Sequence, residues 1–389
     1  MKRVVSVDVY RGLVMLLMMA EVLDLAAVSA ALPHSAFWQF LAFHQSHVPW
    51  AGLSLHDMIQ PSFTFLVGVV LPYSLSSRRA KGSTNAALLR HAAKRAFILI
   101  ILGIFLRSLY AQQTNFTFED TLTQIGLGYA ALFGLALCNK RIQLAVFVAI
   151  LVGYWLVFAL YPLPGPDFDY KAVGVPADWP YNFQGFAAHW NKNSHVAWAF
   201  DTWFLNLFPR EHPFAFNAGG YATLSFIPTL ATMLLGLSAG TVLRNAPSSR
   251  SLLASLLKWG GILLAVGILL HATGVNPVVK RIWTPSWVLV SGGVCFGTLA
   301  FFYWLVDVKG VSRWAFPLIV IGMNSIAAYV IADGGIKTFI GRSLYIHLGQ
   351  GYDRIIGDAY QTLISGTLVL LLEWLILYWM YLRKVFIKI

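Results

Sequence analysis

Ile142-Gln143-Leu144-Ala145-Val146-Phe147-Val148-Ala149-Ile150-Leu151-Val152-Gly153-Tyr154-Trp155-Leu156-Val157-Phe158-Ala159-Leu160-Tyr161 runs without a charge between the basic pair Lys140-Arg141 and the polar stretch that starts at Pro162. A helix of about 20 apolar residues matches the hydrocarbon thickness of a bilayer. Nine further apolar segments resemble it, at approximately 13–32, 58–77, 95–111, 122–138, 221–243, 259–274, 285–305, 314–333 and 360–382. The whole chain follows the same pattern: 389 residues, 58% hydrophobic and 11% charged, where a soluble domain carries about 25% charge. A water-soluble globular protein is thereby excluded. The 14 Trp, 16 Tyr and 27 Phe suit aromatic packing between helices and anchoring at the lipid interface. The expected fold is an all-α polytopic membrane protein, one domain over 1–389 built as a single bundle of about ten transmembrane helices.

Charge sets the expected orientation. Lys2, Arg3, Arg11, the cluster from Arg78 to Arg95, Lys140, Arg141, Arg244, Arg250, Lys258, Lys309, Arg313, Arg383, Lys384 and Lys388 fall on one side, 19 of the 28 Lys and Arg. The positive-inside rule then places both termini in the cytoplasm, which an even number of spans permits. It also accounts for the net charge of +12 without a nucleic-acid partner. Lys2 and Arg3 before an apolar run imitate a signal peptide, but Arg11, Glu21 and Asp24 interrupt the run, so it reads as an uncleaved first helix. The segment from about 162 to 220, opening Pro162-Leu163-Pro164-Gly165-Pro166, is too polar to span and forms one long external loop, read equally as a lid or a surface cover. Cys138 and Cys295 lie far apart in apolar segments and support neither a disulfide nor a thiolate metal site. No metal is expected.

Four polar clusters could carry chemistry. The densest is His44-Gln45-Ser46-His47-Val48-Pro49-Trp50-Ala51-Gly52-Leu53-Ser54-Leu55-His56-Asp57, at the outer mouth of the second span. Histidine exchanges a proton near neutral pH and can activate a nucleophile. For Asp57, two readings compete, because Ser54 three residues earlier completes a capping-box pattern that would make the acid structural. Pro61 would break the hydrogen bonding of the helix that follows. Upstream, Asp8 and Arg11 are spaced to pair on one helix face; a structural ion pair and the holding of a cytoplasmic phosphate are equally consistent, and Gly12 lets another backbone approach. Glu21, Asp24 and, with less support, Glu373 are costly in lipid unless they face a cavity or a partner, which makes them functional candidates. On the external side, Lys280, Arg281 and Trp283 read either as contacts to an anionic group or a protein acid, or as part of an interfacial aromatic belt. Asn324, inside a helix, is either interhelical glue or a substrate contact. No HExxH, Walker, nucleophile-elbow or dinucleotide pattern is present.

Six stretches follow one another from the first span to the ninth: Ser6-Val7-Asp8-Val9-Tyr10-Arg11-Gly12; His47-Val48-Pro49-Trp50-Ala51-Gly52-Leu53-Ser54-Leu55-His56-Asp57; Phe226-Ile227-Pro228-Thr229-Leu230-Ala231-Thr232; Lys280-Arg281-Ile282-Trp283-Thr284-Pro285-Ser286-Trp287; Asp307-Val308-Lys309-Gly310; and Gly322-Met323-Asn324-Ser325. In that order they resemble the heparan-alpha-glucosaminide N-acetyltransferase family and its bacterial relatives. The resemblance implies acetyl transfer from cytosolic acetyl-CoA to an amino sugar or polysaccharide end presented across the membrane. It makes His47 the catalytic histidine, a general base or else an acetylated nucleophile, with His44 and His56 secondary. Asp57 would orient His47 or its helix, and Asn324 would be a polar contact near the reaction centre. Charge places Arg11, with Asp8, beside the CoA phosphates. Glu21, Asp24, Trp50, Lys280 and Trp283 are the candidate acceptor contacts. One departure stands out: family members have an Asn near the outer end of the first helix, where this chain reads Ala20-Glu21-Val22-Leu23-Asp24. An acid beside His47 could bind a cationic amine.

A transporter or flippase of sugar-containing lipids, with the acids and His47 as a proton relay, and a catalytically silent relative are the alternatives. The short N-terminus points to a bacterial inner membrane, membrane lipid is an expected partner, and homodimerisation is a family expectation.

Overall fold

The computed structural model describes residues 4–176 and 178–387; Lys2, Arg3 and Lys388 lie outside the described residues. The described chain is helical and contains no strand. Its helices are α1 (Val5–Met19), α2 (Leu25–Ala31), α3 (Ala36–Gln45), α4 (Ile59–Ala80) and α5 (Asn85–Ser108). Next come α6 (Thr121–Ala136), α7 (Lys140–Ala159), α8 (Val196–Phe204), α9 (Phe226–Asn245) and α10 (Ser249–Ala272). The last five are α11 (Pro285–Phe302), α12 (Phe316–Met323), α13 (Ser325–Asp333), α14 (Ile336–Leu348) and α15 (Gln361–Leu382).

Six helical segments among the described residues are long and apolar enough to cross a membrane, or eight if each of two bent pairs is one span. The chain is thus a multi-pass integral membrane protein. Two of the ten expected segments are not among these eight. The segment at 95–111 is helical as α5, but Arg90, Lys94, Arg95 and Arg107 interrupt its apolar run. The segment at 122–138 is the 16-residue α6, about 24 Å long and short for a span. The two helices pack together: a Cβ on Gly126 would press on the carbonyl of Ala96, and the Arg95 guanidinium sits 4.7 Å from the Tyr129 ring centre.

The chain forms two compact units, one of residues 1–48, 53–63 and 298–389, the other of 49–52 and 64–297. In the first unit, α1 and α12 meet backbone to backbone. A Cβ on Gly12 would overlap the carbonyl of Leu318, and one on Gly322 would overlap the carbonyl of Asp8. The expected close approach at Gly12 is therefore present. The first amides of α1 are capped from far along the chain, Val5 and Ser6 N–H donating to the Asp307 carboxylate at 3.2 and 3.0 Å. Both bent spans belong to this unit. The first turns by 43° after Leu23, where Asp24 adopts a left-handed conformation, and the second turns by 74° at Asn324. Gln45 stitches the first break by accepting from Leu25 N–H at 2.7 Å and donating to the Ala20 carbonyl at 2.6 Å.

In the second unit, α4 and α9 also meet through glycine, Gly236 and Gly240 facing the carbonyls of Phe65 and Val69. The long loop at 162–220 carries α8 and short 3₁₀ turns of its own. It is packed by aromatic rings: Trp50, Tyr154, Phe158 and Trp190 form one buried cluster with Val279 and Ile282. Within it, Asp201 accepts from Thr223 N–H at 2.9 Å, and burial pushes its carboxyl up to about 7. His195 caps α8 by accepting from Trp198 N–H at 3.1 Å, and burial pushes its imidazole down to about 3.

Candidate active site

Local backbone logic brings the histidines together. The chain leaves α3 at Ser46 and returns at Ser54, whose backbone starts the turn into α4. Asp57 N–H donates to Ser54 Oγ at 3.2 Å while Ser54 N–H donates to Asp57 Oδ2 at 3.1 Å, the reciprocal pair of a capping box. Val48 N–H and Ser54 Oγ also donate to Oδ2, at 3.2 and 2.9 Å. Asp57 is 1% exposed, and these bonds satisfy one oxygen of a carboxylate that would otherwise be costly to bury. Its other oxygen, Oδ1, lies 2.8 Å from Nδ1 of His47. The capping role and the histidine-orienting role therefore belong to different oxygens of the same side chain. Pro61 falls in the first turn of α4, and the expected break takes the form of the 3₁₀ turn His56–Met58 before it.

His56, which sequence reasoning ranked second, is brought into the same group. Its ring centre is 4.4 Å from that of His47, and its Nε2 is 3.3 Å from Oε1 of Glu21. Glu21 is 43% exposed, His56 only 8%. The result is a row of four ionisable groups, Asp57, His47, His56 and Glu21, contributed by the segment from the end of α3 into α4 and by the 3₁₀ turn that follows α1. The two acids of the first helix part company here. Glu21 faces the histidines, whereas Asp24 caps α2 by accepting from Ala27 N–H at 3.3 Å. His44 is used locally, accepting from Leu55 N–H at 3.2 Å.

The other candidates are placed as follows. Asp8 and Arg11 pair at 3.8 Å, a loose contact of two partly exposed groups. Asn324 is fully buried at the second break, where its amide donates to the Val385 carbonyl at 2.8 Å and accepts from Ile387 N–H at 3.0 Å. Its side chain holds the segment after α15. In the second unit, Trp50 is buried and donates to the Trp190 carbonyl at 3.0 Å, and Trp283 donates to Thr232 Oγ1 at 3.0 Å. Lys280 is also buried, and Arg281 donates to the Gly219 carbonyl at 2.8 Å and covers the Tyr221 ring. Among the described residues no three His, Cys, Asp or Glu are arranged to hold a metal ion. Gln45 and Asp307 stand in the quoted stretches, but the sequence assigns them no contact, because their partners lie 20 and about 300 residues away. Sequence reasoning undervalued His56, for which the adjacent Asp57 and the acid at position 21 were the available signal.

Comparison with known proteins bears on the whole arrangement. No family model matches the chain. It is 26% identical over 84% of its length to the human heparan-alpha-glucosaminide N-acetyltransferase, and 23% identical over 84% to the mouse protein of the same name. The match covers 52% and 53% of those relatives, so the chain spans about half the length of the curated relatives it matches. The similarity read from the motifs thus extends over most of this chain, and it is to the heparan-alpha-glucosaminide N-acetyltransferases.

Proposed function

We propose that the protein is a transmembrane acetyltransferase that moves an acetyl group from cytosolic acetyl-CoA to an amino sugar or glycan end on the other side of the membrane. The observation that carries this reading is the bond between His47 Nδ1 and Asp57 Oδ1, 2.8 Å long, with the carboxylate buried and its second oxygen fixed by three donors. A histidine held this way has its imidazole oriented by a buried carboxylate, the arrangement that suits proton exchange with an acceptor near neutral pH. Its role is that of a general base. It takes a proton from the acceptor's ammonium, and the freed nitrogen attacks the acetyl carbonyl carbon as the C–S bond of acetyl-CoA breaks. Glu21, partly exposed beside His56, supplies negative charge where a cationic amine would approach. Arg11, steadied by Asp8, is assigned to the CoA phosphates by its charge.

In this reading the whole chain acts as one membrane domain of about ten spans with both termini in the cytoplasm, in a bacterial inner membrane, and with homodimerisation as a family expectation. The catalytic assignment rests on His47 and Asp57; Asn324 secures the bend at the second broken span. Among the acceptor contacts, Glu21 stands ahead of Trp50 and Trp283, whose indole N–H groups are already bonded within the protein.

Calorimetry of acetyl-CoA binding to purified protein in nanodiscs tests the donor half. Saturable binding that survives His47→Ala and weakens in Arg11→Ala is expected. Absence of binding by the wild type would return the protein to the transporter or silent-relative readings.

A further inference from the structure

Between Asp57 and Glu119 the chain has no Asp or Glu but seven Lys and Arg, six of them from Arg78 to Arg95. Two of these cations are held in place by rings. Arg78 donates to Nε2 of His91 at 2.8 Å, a guanidinium having only donors, and Arg95 donates to the Tyr129 hydroxyl at 3.0 Å. His91 and Arg95 stand one turn apart on α5, so both guanidinium groups lie along the same flank of that helix. Among the described residues neither is paired with a carboxylate, and Arg95 Nε is buried without a hydrogen-bond partner.

Beside this flank runs a second row. Arg90, Lys94, Phe97, Ile101 and Phe105 recur at spacings of three and four, which lines them up along α5, and all five are exposed. Leu88, Ala92, Ala96, Leu99 and Gly103 occupy the opposite, buried face. The row therefore passes from charged to apolar on a surface that the rest of its unit leaves open. From Lys94 to Phe105 it extends about 16 Å, which is close to half of a hydrocarbon core about 30 Å thick. One leaflet has that depth.

We propose that this row is a binding site for an anionic phospholipid, with Arg90 and Lys94 on the headgroup phosphate and an acyl chain along Phe97, Ile101 and Phe105. Arg78 and Arg95, with no carboxylate near them in sequence, keep the potential at the headgroup positive. Charge selects the lipid. Phosphatidylcholine brings a quaternary ammonium that these cations repel, whereas phosphatidylglycerol brings phosphate without a compensating charge. A soluble phosphate ester would satisfy the cations but would gain nothing from the apolar part of the row. The site goes beyond the acetyl-transfer reading and does not depend on it.

The test uses the full chain in nanodiscs of phosphatidylcholine, alone or with an equal part of phosphatidylglycerol, and counts the lipids kept by the protein in native mass spectrometry. Phosphatidylglycerol is expected to be kept about 10-fold or more over phosphatidylcholine, and the unfolding midpoint to be higher in the mixed disc. The double variant Arg90→Gln/Lys94→Gln replaces two exposed side chains and is expected to lose both effects. Phe97→Ala/Ile101→Ala leaves the charge unchanged and is expected to reduce the enrichment. Arg250→Gln/Lys258→Gln, which removes two exposed cations from α10, is the control and is expected to keep it. Equal retention of the two lipids by the wild type overturns the proposal. So does an equal loss in the α10 control, which would make the enrichment a property of overall charge. Stabilisation by acetyl-CoA in phosphatidylcholine discs that vanishes in Arg90→Gln/Lys94→Gln overturns it in favour of a soluble phosphate ester.

Discussion

Asp57 holds His47 through one carboxylate oxygen, Oδ1 at 2.8 Å from Nδ1, and holds its own turn together through the other. One residue therefore couples the aim of the His47 imidazole to the start of α4. The coupling can be taken apart by mutation, because Asn caps a helix about as well as Asp but carries no charge.

Asp57→Asn is expected to leave thermal stability near wild type and to lower kcat, whereas Asp57→Ala loses the capping contacts as well, at a cost of about 0.5–2 kcal/mol. Thermal unfolding and acetyl-transfer rates measured on the same preparations check this. Equal activity loss and equal destabilisation in both variants would contradict a division of labour between the two oxygens.

Glu21 should govern acceptor choice. Glu21→Gln removes the charge beside His56 while keeping the side chain's size, so KM for glucosamine is expected to rise about 10-fold or more, with KM for acetyl-CoA unchanged. Steady-state kinetics with both substrates varied decides it. Asp24→Asn, by contrast, should leave both constants near wild type, since that side chain caps α2.

Gly12→Ala and Gly322→Ala each place a methyl group on a backbone carbonyl of the facing helix. A loss of about 1–3 kcal/mol is expected for each, because backbone cannot yield as a flexible side chain can. Gly82→Ala, with nothing within 4 Å, controls for general effects of replacing glycine, apart from the strain of its positive φ. Unfolding midpoints in detergent provide the comparison.

The loop that carries α8 should respond to pH in two opposite ways. Asp201 has its carboxyl raised from 3.8 to about 7, so its contribution to stability is complete below about 3.8 and is lost as pH rises to about 7. His195 has its imidazole lowered from 6.5 to about 3, so its contribution is complete above about 6.5 and is lost as pH falls to about 3. Asp201→Asn is therefore expected to stabilise the loop at pH 8 relative to the wild type and to have little effect at pH 4. Hydrogen exchange of peptides covering α8 at the two pH values reads this out. An Asn variant with the wild-type difference between pH 4 and pH 8 would contradict the assignment.

The membrane class was legible from composition and from runs such as 142–161, because burial in lipid needs only length and apolarity. Span counting was less secure. Nothing in the periodicity around Asp24 or Asn324 signals that a helix bends there, since each break is held by distant partners, Gln45 for the first and the chain after α15 for the second. The pairing of His47 with Asp57 was anticipated through the motif, and the capping box through the spacing of Ser54 and Asp57. What sequence could not supply was the fold-dependent part of the site: that Glu21 rather than Asp24 turns to the histidines, and that His56 bridges Glu21 to His47. Those contacts depend on the 3₁₀ turn at the end of α1, which a local pattern of apolar residues does not specify.

The most direct test of the central claim is transfer itself. Purified protein with acetyl-CoA and glucosamine is assayed for CoA release and for N-acetylglucosamine by mass spectrometry, in wild type and His47→Ala. The account predicts equimolar CoA and N-acetylated sugar from the wild type, and a loss of about 10²-fold or more in the variant. Acetylation that continues undiminished in His47→Ala, or a wild type that moves sugar across a vesicle membrane without releasing CoA, would contradict it.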